Sequence, residues 1–103
     1  MTNKEKIKKI QAVIDHPGRE RTYCSLLEDL GDLKGNYADY MTTEPINCNE
    51  ELQRVANADY ELCTALLTAI LREDHFSNGS FEHRQRAGQV DEILKRMIVE
   101  LNK

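Results

Sequence analysis

Apolar residues recur at helical spacing along most of the chain. Ile7, Ile10, Val13 and Ile14 form one stripe with lysines on the opposite face. Thr2 and Glu5 stand at capping-box spacing before it, and Pro17-Gly18 closes it, so the pattern predicts a first helix ending near His16. Tyr23, Leu26, Leu27 and Leu30 repeat the stripe, with Leu33 as a candidate extension, giving a second helix that starts near Thr22 and weakens at Gly31. Asn49-Glu50-Glu51 suits another helix start, with Leu52, Val55 and Ala56 turned inward. The pattern leaves open whether this piece runs on through Asn57-Ala58 or breaks there, since Asn57 and Asp59 are both acceptable caps. From Asp59 to Glu73, Leu62, Cys63, Ala65, Leu66, Leu67, Ala69, Ile70 and Leu71 cover most of the circumference, which predicts the central buried helix. Its remaining face, Glu61, Thr64, Thr68 and Arg72, either meets solvent or lines a polar cleft. Val90, Ile93, Leu94, Met97, Ile98 and Leu101 oppose Asp91, Glu92, Lys95, Arg96 and Glu100 in the last helix. No alternating run is long enough to require a sheet, so the expectation is all-α: a compact helical bundle of about four to five helices, residues 1–103 as one domain, with an irregular middle.

The two connections are unlike each other. Gly35 to Asn49 is rich in Gly, Asn, Thr and Pro, with Tyr37, Tyr40, Met41 and Ile46 as its large apolar groups; it reads as a structured loop pinned by its tyrosines. Arg72 to Arg86 carries more functional groups than a connection requires. Asn78-Gly79 suits a left-handed turn, and Ser80 is placed to cap a short helix from Phe81 to about Ala87 that Gly88 ends. Phe76 and Phe81, on either side, are expected to pin the turn.

Composition narrows the class. A chain of 103 residues with 40% hydrophobic and 31% charged residues is in the range of folded domains, and it has no tryptophan. No apolar run approaches the roughly 20 residues of a membrane span and no secretory core is visible, so a cytoplasmic protein with no membrane partner is expected. Cys24, Cys48 and Cys63 are odd in number and contain no C-x-x-C pair, which points to free thiols in a reducing compartment. The net charge of −4 is segregated: residues 22–74 hold eleven acidic groups against three basic ones, while residues 1–21 hold six basic and three acidic. That field favours a basic partner and disfavours nucleic acid.

The stretch from Ala65 to Phe81, with Gly88-Gln89-Val90 and Ile93-Leu94-Lys95-Arg96-Met97 after it, resembles a family of small uncharacterised bacterial proteins sharing the pattern L-L-T-x-x-x-R-x-[DE]-[RH]-F-x-x-G. The resemblance implies a shared fold and a bacterial or phage origin, and it brings no activity. The polar positions it matches are Thr68, Arg72, Asp74, His75 and Gly79. Structure accounts for them if Gly79 serves the turn, Thr68 bonds its i−4 carbonyl, and Arg72 binds helix-end carbonyls or pairs with Glu61 or Asp74. Function accounts for them if Thr68, Arg72, Asp74 and His75 join His83 in a pocket for an anion or small ligand, with Arg72 as the forked donor, or in a hydrolytic site. No residue is assigned a catalytic role, and neither cofactor nor metal is expected, because no H-E-x-x-H, C-x-x-C, phosphate loop or G-x-S-x-G occurs. Arg84, Arg86, Lys95 and Arg96 outline a modest basic patch for a nucleic-acid reading. The leading expectation is a non-enzymatic module that binds another protein or a second copy of itself, one version being an acidic inhibitor of a basic partner.

Overall fold

The structure is a computed structural model that describes all of residues 1–103. It contains six α-helices: α1 (Asn3–Asp15), α2 (Glu20–Leu30), α3 (Cys48–Glu51), α4 (Tyr60–Phe76), α5 (Ser80–Arg86) and α6 (Gln89–Leu101). Two 3-10 segments, Tyr37–Tyr40 and Leu52–Asn57, complete the regular structure, and there is no strand. The four long helices close a ring in which α1 meets α2, α2 meets α4, α4 meets α6 and α6 returns to α1. A single cluster of 20 buried residues fills it, with Ile10, Leu27, Leu66, Leu67, Ile70, Ile93, Leu94 and Met97 at its centre. No helix is long and apolar enough to cross a membrane.

Local sequence explains the helix ends. The Thr2 hydroxyl accepts the Glu5 amide at 3.2 Å and starts α1, and Gly31, at φ 75°, closes α2 in the left-handed conformation glycine adopts cheaply. Asp59 caps α4 by accepting the Leu62 amide at 2.8 Å, which breaks the stretch after Asn49 into separate helices. The preceding piece starts at Asn47 rather than Asn49 and continues as a 3-10 segment. Three residues per turn place Leu52, Val55 and Ala58 on one buried line and turn Ala56 out to solvent, contrary to the α-periodic expectation. This isolated turn of α-helix also raises the helix count to six.

Helix α4 is covered on more sides than its pattern suggested. Besides α2 and α6 it contacts α3, α5 and the Tyr37–Tyr40 turn. Thr64 and Thr68, expected at solvent or a polar cleft, are fully buried beneath the loop that follows α2. Their hydroxyls are satisfied within the helix, Thr64 donating to the Glu61 carbonyl at 2.8 Å and Thr68 to the Thr64 carbonyl at 2.7 Å. Small side chains that satisfy themselves let irregular backbone lie directly on the helix.

The turn between α4 and α5 also departs from expectation. Helix α4 runs on to Phe76, whose ring is 91% exposed and pins nothing. Phe81 alone anchors the turn, buried with its ring centroid 5.2 Å from that of Tyr23. Ser80 does not cap α5; Gly79, at φ 89°, takes the cap position, and the Asp74 carboxylate accepts the amides of Gly79 and Phe81, each at 3.1 Å. Gln85 ties α5 to the first connection by donating to the Gly18 carbonyl and the Tyr23 hydroxyl. Gly18 is required there because a Cβ would meet the Thr22 hydroxyl at 2.1 Å.

Candidate functional site

A cleft of about 390 Å³ opens between the C-terminal half of α4 and the irregular middle segment. One wall is Ala69, Arg72, Glu73 and Phe76, residues at i, i+3, i+4 and i+7 that share a face of α4 turned away from the ring. The other wall is Tyr37, Pro45, Ile46 and Cys48. Phe76 stands on the rim almost fully exposed, and Ile46 opposite is 37% exposed. Apolar walls with two charged groups are the usual composition of a recognition site.

The loop wall is irregular backbone, and a buried carboxylate holds it. Glu51, 1% exposed, accepts from the amides of Thr42 (2.9 Å) and Thr43 (2.8 Å), from both threonine hydroxyls and from Arg54 (2.9 Å). Burial alone would disfavour its charge, but these donors outweigh it and bring its pKa down to about 2. Arg54 donates the same NH1 group to the Tyr40 carbonyl at 2.8 Å, so one ion pair clamps both ends of residues 40–43.

The helix wall has a buttress behind it. Arg84 grips Glu73 in a bidentate pair, Nε to Oε1 at 2.7 Å and Nη2 to Oε2 at 2.9 Å, and its remaining Nη1 donates to Asn49 and Gln89, each at 3.0 Å. This pair holds Glu73 ionised below the ordinary range, against the opposing effect of burial. The arrangement joins α4, α3, α5 and α6 at one point. Of the four residues of the basic patch, Arg84 is buried inside the protein, Arg96 is engaged by the Ala58 carbonyl and Glu100, Arg86 pairs with Glu82 at the surface, and Lys95 is exposed without an ion pair. At the floor of the cleft, burial and then the neighbouring Glu73 charge push the Cys48 thiol up to about 11, so it stays protonated and non-nucleophilic.

The residues singled out from the sequence do not gather in one place. Thr68 is buried and spent on its own helix, and Asp74 is spent on the turn amides. Arg72 is exposed on the cleft, and no carboxylate of the chain pairs with it: Glu61 is engaged by Lys34 instead, and Asp74 faces the turn. His75 and His83 are exposed, on α4 and α5, and neither lines the cleft. No three His, Cys, Asp or Glu side chains are placed to hold a metal ion. Sequence reasoning gave Glu51 no role, assigned Arg84 to a surface basic patch, and did not bring Glu73 and the 37–48 segment together as opposite walls of a cleft. A signal existed for Arg84, which stands three residues after the buried Phe81 and so faces inward on α5. None existed for Glu51, whose partners are fixed only by the path of the loop.

Searches of curated proteins and of solved structures return no match. Residues 33–102 match the Family of unknown function (DUF6508), a span that begins just after α2 and contains both walls of the cleft, the Glu51 clamp and the Glu73–Arg84 buttress. The chain therefore belongs to DUF6508, a family of unknown function.

Proposed function

We propose that the protein is a non-enzymatic interaction module that docks another polypeptide in the cleft between α4 and the 37–48 segment. The observation that carries this reading is Phe76. A chain with two phenylalanines and no tryptophan leaves one of them 91% exposed, on a regular helix, beside an apolar cleft. Exposed aromatic side chains next to preformed pockets are the typical anchors of protein interfaces. The supports of the cleft point the same way: the Glu51 clamp and the Glu73–Arg84 pair make both walls rigid before any partner arrives, which lowers the ordering cost of binding.

A purely electrostatic partner fits less well. Of the eleven acidic groups between residues 22 and 74, Asp32, Glu51, Glu61 and Glu73 are held by internal ion pairs, and Asp59 and Asp74 bond backbone amides. The four ion pairs offset part of the acidic field while the two amide-bonded carboxylates keep their charge, and apolar contact through Phe76 and Ile46 carries the reading. The histidines lie outside the cleft, so it lacks an acid–base pair of its own.

Photo-crosslinking in the native host tests this. Benzoylphenylalanine in place of Phe76 should yield a discrete polypeptide adduct on irradiation, whereas the same group at exposed Lys8 on α1 should not. Absence of an adduct at position 76, or an identical adduct from position 8, would refute the reading.

A further inference from the structure

We infer that the segment docking in the cleft is an apolar one bearing a single carboxylate, an Asp or Glu side chain held by Arg72 one helical turn from the ring of Phe76. The inference rests on the docking reading above and names the chemistry of its partner. It follows from which polar groups the cleft walls still have free.

Two charged side chains line the cleft, Arg72 and Glu73. Arg84 grips both oxygens of Glu73 from behind, so the charge of Glu73 is already balanced inside the protein. Arg72 is exposed and has neither an ion pair nor a side-chain hydrogen bond within the chain. Arg19 and Arg21 are equally exposed and equally unpaired, but they line other hollows, so it is position that singles out Arg72. Tyr37 and Ser77, also on the walls, carry hydroxyls that bond no group of the chain. The polar groups left free are therefore one guanidinium and two hydroxyls, a set of donors with one uncompensated positive charge.

Three kinds of polypeptide segment compare differently against that set. A purely apolar segment lying over the cleft strips water from the guanidinium and returns no partner for it, which costs free energy. A basic segment meets the repulsion of Arg72 and finds the one carboxylate of the cleft already taken. A segment with a carboxylate beside its apolar anchor satisfies both walls, since the guanidinium fork binds a carboxylate with two parallel hydrogen bonds. One carboxylate is the match and an acidic run is not, because the chain as a whole carries a net charge of −4. The helix also sets the spacing. Arg72 and Phe76 stand at i and i+4 on α4, about 6 Å apart along its axis, so the partner's carboxylate and its bulky apolar side chain must lie about that far apart.

Panning a phage-displayed library of random dodecapeptides against the immobilised wild-type chain tests this. Enriched peptides should share an Asp or Glu close to a bulky apolar residue, about two positions away in an extended peptide or about three to four in a helical one. Panning against Arg72→Glu should replace that carboxylate by Lys or Arg. In fluorescence anisotropy, the labelled peptide selected by the wild-type chain should bind Arg72→Glu about tenfold more weakly or worse. It should bind Phe76→Ser roughly 30-fold more weakly. Arg21→Glu removes an equally exposed arginine outside the cleft and should change the affinity by about twofold at most. All three positions are exposed, and circular dichroism checks that each variant is folded. A library that yields no peptide dependent on Phe76, or yields apolar peptides without an enriched carboxylate, overturns the inference. So does an affinity that Arg72→Glu and Arg21→Glu lower equally. In each case an adduct at position 76 in the host leaves the docking reading standing, and its absence removes that reading as well.

Discussion

Replacing Glu51 by Gln removes the charge from the loop clamp while keeping its volume, so the variant stands in for the protonated side chain. In the folded protein Glu51 ionises with a pKa of about 2 against the ordinary 4.5, because the Thr42, Thr43 and Arg54 donors outweigh the effect of burial. At about 1.4 kcal/mol per pH unit, that gap makes the ionised clamp contribute about 3 kcal/mol to folding. Because the folded-state value is depressed, the contribution is complete above about pH 5 and disappears as the pH falls toward 2. Urea unfolding followed by far-ultraviolet circular dichroism should therefore give a wild-type minus variant difference of about 3 kcal/mol at pH 7, shrinking steadily between pH 5 and pH 3. In thermal melts at pH 7 the loss should be on the order of 15 °C. Asp32 and Glu73 also ionise below the ordinary range, but both are present in each protein and largely cancel in the difference. A difference below about 1 kcal/mol at pH 7, or one that stays constant from pH 7 to pH 3, would refute the assignment of Glu51 as a charged clamp.

Three further outcomes follow from the same geometry. Arg84→Ala should cost about 2–4 kcal/mol in urea unfolding, because it strands the Glu73 carboxylate, and Arg84→Lys should recover only part, since an ammonium cannot span both oxygens. Gly79→Ala should cost about 1–2 kcal/mol through its backbone alone, since φ is 89° and a Cβ there meets nothing within 4 Å; a neutral result would mean the turn is not left-handed. A thiol reagent at neutral pH should modify Cys24 first, with Cys48 and Cys63 following only at the rate of unfolding, because both are buried and their thiols are pushed up to about 11 and about 12. Mass spectrometry of tryptic peptides gives the order.

How far the sequence reached depended on how local each cause was. The stripes Ile7 to Ile14, Tyr23 to Leu30 and Val90 to Leu101 specify amphipathic helices through side chains three and four apart, and those helices stand where the spacing placed them. The apolar circumference of 59–73 marked the central helix for the same reason: Leu66, Leu67 and Ile70 have nowhere to go but inside. The Thr2 cap acts within four residues and was legible too, whereas Asp59 stood as one of two candidates with Asn57 until the structure chose it. What remained hidden depends on groups brought together from distant parts of the chain. Glu51 reads as a surface carboxylate until the loop returns Thr42 and Thr43 to it, and Arg84 as a surface cation until α5 folds against Glu73. Phe76 reads as core until α4 extends and aims it outward. Sequence by itself determined which stretches coil and which faces are apolar, because those follow from periodicity. Only the tertiary structure decided which charges are consumed internally and which, like Arg72, remain free, because pairing is set by distance in space and not by distance along the chain.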